Sequence, residues 1–335
     1  MLALILLASL SLASDSNAST PVDDSDLAPP TRIHDLVPGS VPLELAPDSI
    51  ETGSATGPLS IQLLREDHGK LVEIEGLELK PETKCIEKVR VSAKLETKRF
   101  LVSDGSQTYF IAFDAPCSGT VKAIFRSDSS GGQALGIWQI ARRAEKKLES
   151  SVDMSFWASS IRFIWPSDGD YYSFDRVHVT RGDHWDVVGH ELGHAIYDQG
   201  EIGTSPGGEH KIDECYSAAL ALSEGWASFF SAWLSVDPAD PDAKFEYMVP
   251  RRAPLRFETI PSDVCRGEKN EWRVTGFFWD LLDLHDDGET ANETFAQLWN
   301  PLLRSDIRTT SDAAARLKAN GVDPAIVDLV WKLNF

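Results

Sequence analysis

The sequence predicts an α+β chain, strand-rich in its first part and helix-rich in its second. Three observations carry that expectation. Between about 56 and 127 apolar and polar residues alternate at period two, which places every second side chain on one face of a strand. From about 212 onward the apolar spacing widens to that of a helix. Between them, Ser127-Asp128-Ser129-Ser130-Gly131-Gly132 interrupts both patterns and reads as a linker.

At 335 residues the chain can bury a full core and divide into two folded units. With 42% hydrophobic and 25% charged residues it has the composition of a folded protein rather than a disordered one. A net charge of -20 argues against nucleic acid or an anionic membrane surface as a partner, because phosphates would be repelled.

Taken in order, residues 1–18 read as a signal peptide. Leu2 to Leu12 form an apolar run too short for a stable anchor, followed by small residues at Ala13 and Ser16-Asn17-Ala18. No other stretch is apolar enough to span a membrane, so secretion is expected. Residues 19–55 are rich in Ser, Pro, Asp and Thr and are expected to be a disordered acidic leader. Residues 56–127 form a small all-β module, whose strands include Lys70 to Glu75, Val89 to Val91, Arg99 to Val102, Tyr109 to Phe113 and Val121 to Phe125. Residues 133–335 form the second domain.

That domain opens with a helix marked by Ile137, Ala141, Ala144 and Leu148. Two strands follow, one presenting Ile161, Phe163 and Trp165, the other Val177 and Val179, with a turn at Pro166-Ser167-Asp168-Gly169-Asp170. Asp183 is placed to cap the next helix, with Asp186 three residues on. Near the end, Asn320-Gly321 stops one helix and Asp323-Pro324 starts the next.

Four cysteines suit an oxidising compartment. Cys85 and Cys117 lie in the first half, Cys215 and Cys265 in the second. Pairing within each half is the simplest of three connectivities, and the sequence does not select among them.

The chemistry centres on His190-Glu191-Leu192-Gly193-His194. On a helix, residues four apart share a face, so both imidazoles can reach one metal ion while Glu191 stands beside it. A catalytic site needs a third protein ligand. Glu224 is the best candidate, because Ser217, Ala221, Gly225, Ser228 and Ala232 cluster on its side of a helix, and Gly193 is small too. Such a stripe lets two helices approach closely. His210 is a rival for the third position.

Asp186 to Asp198 resembles the active-site helix of thermolysin-like metallopeptidases, and Ala221 to Phe230 resembles the helix that brings their third ligand. Phe156-Trp157 and the Asp168-Gly169-Asp170 turn are similar to that family's approach to a substrate-binding edge strand. The resemblance covers about 133 to 235. It implies a gluzincin: a zincin-type domain with a small mixed sheet and a helical lobe, zinc on His190, His194 and Glu224, and a water activated by Glu191.

The chain departs from the family pattern at Ser228, where an Asp usually orients a ligand histidine. Asp198 or Asp213 is expected to substitute. A donor for the tetrahedral oxyanion is also required; His285, near Asp280 and Asp283, is chosen for it, with Arg273 as the rival. Calcium is a second candidate cofactor, at Asp186, where the family uses an Asp for calcium, and in the acidic loop of Asp237, Asp240 and Asp242. Asp283, Asp287 and Gly288 do not continue as an EF-hand. Asn292-Glu293-Thr294 is a glycosylation acceptor if the source glycosylates secreted proteins.

The expectation is therefore a secreted zinc peptidase acting on protein or peptide substrates. The alternative is a catalytically silent protein of the same fold with a surface-binding or inhibitory role.

Overall fold

Among the described residues there are three four-stranded sheets, a two-stranded ribbon and seven α-helices. The computed structural model describes residues 41–54, 57–81, 85–285 and 288–335. The expected signal peptide, the expected leader up to residue 40, and Asp287 lie outside these.

Residues 44–52 were expected in the leader, yet they supply β1 (Glu44–Leu45) and β2 (Ser49–Thr52). The strand-rich part continues with β3 (Ser60–Asp67), β4 (Lys70–Glu73), β5 (Lys80–Pro81), β6 (Lys88–Lys94), β7 (Phe100–Ser103), β8 (Phe110–Pro116) and β9 (Thr120–Arg126). One sheet runs β1-β8-β6-β5 and another β2-β9-β3-β4. In β6 the period-two pattern is visible directly: Val89, Val91 and Ala93 are buried between half-exposed neighbours. The Cys85–Cys117 disulfide ties the segment before β6 to the end of β8.

The linker has no extended stretch. Ser129 caps α1 (Ser130–Ser151) by accepting the Gly132 N–H at 3.1 Å, so the two glycines lie in the first helical turn. Ile137, Ala141, Ala144 and Leu148 are all fully buried. A short 3-10 helix at Met154–Phe156 leads to β10 (Ile161–Ile164), β11 (Tyr171–Ser173) and β12 (Arg176–His178). These complete a mixed sheet ordered β11-β12-β10-β7. Its fourth strand, β7, comes from the strand-rich part and pairs in parallel with β10, Phe100 opposite Ile161. The two parts also share one hydrophobic core, running from Val41 to Val330.

The helical part holds α2 (Trp185–Gln199), α3 (Ala218–Ser235), α4 (Glu271–Asp280), α5 (Phe295–Leu302), α6 (Thr310–Ala319) and α7 (Pro324–Asn334). It is not helical throughout: β13 (Lys244–Phe245) and β14 (Leu255–Arg256) form a two-stranded ribbon between α3 and α4. Asp183 does not cap α2. His184 takes that place without a side-chain bond, and Asp183 instead accepts Arg181 through both carboxylate oxygens at 3.0 and 2.7 Å. The late punctuation holds: Asn320 caps the end of α6, and Asp323 precedes Pro324 at the start of α7.

Candidate metal centre

Close contact between α2 and α3 sets the geometry. A Cβ on Gly193 would lie 2.7 Å from the Ala227 carbonyl oxygen, and one on Gly189 would lie 2.3 Å from Ser231 Oγ. Two glycines about a turn apart thus let the backbones meet. The small-residue stripe on α3 is divided differently from expectation. Ala227 and Ser231 face α2, whereas Gly225 faces α4, where a Cβ would lie 2.4 Å from Val274 Cβ.

At this contact the three expected ligand atoms converge. His190 Nε2 is 3.2 Å and His194 Nε2 3.0 Å from Glu224 Oε2, and the two imidazole nitrogens are 3.1 Å apart. All three side chains are buried. Donors about 2.0 Å from a tetrahedral ion would be ~3.3 Å from one another, so the triangle can accept an ion at its centre with little adjustment. An imidazole pair and one carboxylate is a donor set suited to zinc.

The electrostatics follow from burial. Burial drives the His190 imidazole down to about 4, which leaves its nitrogen lone pair available. Burial alone would raise the Glu224 carboxyl, but His194 and His210 facing it hold it well below the usual range. For Glu191 burial prevails: it lifts the carboxyl to about 8, with Asp170 and Glu224 adding to the effect, against the weaker opposing pull of His194 and His210.

His210 is the residue that sequence reasoning placed incompletely. Its Nε2 lies 3.8 Å from Glu224 Oε2, outside the triangle but beside it. Its Nδ1 is 2.7 Å from Glu271 Oε2 on α4. Burial would deprotonate the ring, yet Glu271 and Glu224 outweigh it and raise the imidazole to about 10. The sequence offers His210 only as a rival for the third ligand position. Glu271 had no signal, because its role depends on the packing of α4 against α3.

The residues chosen for the oxyanion lie elsewhere. His285 follows the C-terminal end of α4 and groups with Glu258 and Asp283, whereas Glu271, which meets His210, opens the same helix. Ten residues of helix, about 15 Å, separate the two ends. Arg273 is spent on carbonyls, donating to Cys265 O at 2.7 Å and Asn334 O at 2.9 Å.

The orienting group for His190 is Ser228 itself, whose Oγ is 3.1 Å from Nδ1. Neither suggested substitute reaches it. Asp198 accepts the Tyr172 hydroxyl at 2.7 Å, and Asp213 pairs with Arg251 and Arg252. The calcium candidates have other partners too. Asp186 Oδ2 accepts three backbone N–H groups, from Glu246, Tyr247 and Met248 at 2.8, 2.7 and 3.1 Å. Asp237 and Asp240 accept backbone N–H groups of their own loop, and Asp242 pairs with Lys244 and Arg256.

A family model described as the Mycolysin C-terminal domain matches residues 144–317. The chain belongs to that family. The stretch matched to the Mycolysin C-terminal domain includes His190, Glu191, His194, His210, Glu224 and Glu271, and the domain is associated with peptidases. No curated protein matches the chain. The two disulfides pair within each half, Cys85–Cys117 and Cys215–Cys265. Among the described residues no helix is long and apolar enough to cross a membrane.

Proposed function

We propose that this is a secreted zinc peptidase of the gluzincin type, with a zincin-type catalytic unit. The observation that carries the reading is the buried triangle of His190, His194 and Glu224, with the Glu191 carboxyl buried among the same charges. A site serving only to hold structure has no use for Glu191.

Bound in the triangle, zinc would polarise a scissile carbonyl and acidify water. Glu191 is suited to take the proton of the attacking water on its carboxylate and return it to the leaving amide nitrogen, because burial brings its affinity for a proton toward neutrality. His210, held protonated between Glu271 and Glu224 with its Nε2 3.8 Å from Glu224 at the margin of the triangle, is suited to donate a charged N–H to an oxyanion. This assigns to His210 the role expected of His285. Ser228 keeps the His190 ring turned toward Glu224. The mixed sheet ends in β11, which runs antiparallel to β12 and packs against α2. An extended peptide can pair along such an edge.

The test is an unfolded-protein digest with the purified full chain and its Glu191→Gln variant, each with zinc counted. Chelator-sensitive cleavage by the wild type, and a loss of at least ~100-fold in the variant with zinc content unchanged, is the expected result. Equal activity in both would overturn the mechanism. Absence of cleavage by zinc-loaded wild type on a broad peptide library would favour the silent alternative.

A further inference from the structure

Past the C-terminal end of α4 lies a second group of ionisable side chains that the peptidase reading does not use. Glu258, from the segment after β14, meets Asp283 and His285, from the turn that follows α4. Each contributes one ligand atom, and these lie within 4.8 Å of one another. Asp283 is only 1% exposed. Glu289, also buried, adds its charge to that of Glu258 against it.

The donors on hand satisfy only part of this group. Trp279 Nε1 donates to Glu258 Oε1 at 2.9 Å, and the His285 N–H donates to Asp283 Oδ2 at 3.2 Å. Among the described residues Asp283 Oδ1 receives no N–H donor, and His285 Nδ1, shielded from solvent, has no hydrogen-bond partner. The chief influences on Asp283 are burial and the charges of Glu258 and Glu289, with no Lys or Arg among them. A buried carboxylate oxygen facing a second carboxylate and an imidazole nitrogen is unfavourable unless a proton or a cation lies between them.

We propose that Glu258, Asp283 and His285 bind a divalent transition-metal cation, zinc in preference to calcium, in a site distinct from the His190 triangle. Two carboxylates and an imidazole form a mixed oxygen and nitrogen set that suits zinc, while calcium seeks six or more oxygens. The cation would neutralise the cluster and fasten the segment after β14 to the turn beyond α4. In its absence Asp283 keeps a proton, since burial and Glu258 raise its carboxyl to about 8. The rival arrangement is one proton shared by the two carboxyl groups.

The experiment counts zinc in the full chain after chelator stripping, reloading with zinc alone and removal of weakly held ions, for wild type, Asp283→Asn and His285→Ala. Each variant should hold one equivalent less than wild type, and the same loading with calcium should restore nothing. The difference is read whether or not the His190 triangle holds zinc, so failure here and failure of the peptidase reading are separable. Unchanged zinc content in His285→Ala, a half-exposed position that tolerates truncation, would overturn the site even if Asp283→Asn fails to fold. Calcium binding there in place of zinc would overturn it as well, and so would a shared proton, which leaves the count unaltered.

Discussion

Glu271 Oε2 lies 2.7 Å from His210 Nδ1, while the other nitrogen of the same ring faces Glu224 at 3.8 Å. The imidazole is thereby held between a carboxylate on α4 and one on α3, at the margin of the candidate metal triangle. Glu271→Gln should keep the ring in place but weaken its hold on the proton. The expected outcome is a fall in kcat of ~10-fold or more with KM little changed, and an alkaline limb of the pH profile displaced downward, because His210 loses the charge that raises it. An unmoved pH profile would mean that Glu271 serves packing alone.

Ser228→Ala removes the contact to His190 Nδ1. Loss of a group that orients a metal-binding histidine weakens metal affinity by about 10–100-fold. Competition with a chelator measures it directly, and Ser228→Thr, which keeps a hydroxyl, should recover much of the loss.

Gly193→Ala introduces a Cβ 2.7 Å from a backbone oxygen of α3, so one helix must shift. Overpacking of this kind costs about 1–3 kcal/mol. Because Glu224 reaches the triangle from α3, zinc affinity should fall together with stability, as read by denaturant unfolding and zinc titration. Gly267→Ala is a poor comparison, since its φ of +95° introduces backbone strain of its own; Ala325→Gly, at the first turn of α7, supplies a distant control of similar size.

Glu191 gives a pH signature in the chelated chain. Its carboxyl rises from 4.5 to about 8 on folding. The unfolded chain therefore releases this proton first, and stability from this group is full below 4.5 and declines as pH rises toward 8. Glu191→Gln should flatten that part of the stability curve. An identical slope in wild type and variant would refute the assignment.

Reduction of Cys215–Cys265 should matter for the site as well as for stability. The bond closes a separation of 50 residues, for which the chain-entropy relation gives about 4 kcal/mol. Cys215 adjoins Tyr216, whose ring packs edge-on against His210 at 5.8 Å. Activity should fall under reducing conditions before global unfolding is seen by circular dichroism.

Much of this was legible before any coordinates. Period two marked the strands and helical spacing marked α1, because both patterns are local consequences of burying one face. His190, Glu191 and His194 were legible for the same reason, their geometry being set by one helix. Glu224 was reached by a weaker inference, from a run of small residues. That run allows close approach without saying which neighbour approaches, and Gly225 turned out to face α4 rather than α2.

The sequence alone determined the elements and the chemical repertoire, since helical and strand periods and the character of a side chain are properties of short segments. Tertiary packing decided which acids and bases meet. It brought β7 into the sheet beside β10, set Ser228 rather than Asp198 or Asp213 against His190, and placed His210 with Glu271 near the triangle while carrying His285 to the other end of α4. Those pairings join residues tens of positions apart. They depend on how helices pack in three dimensions, and no local pattern records that distance.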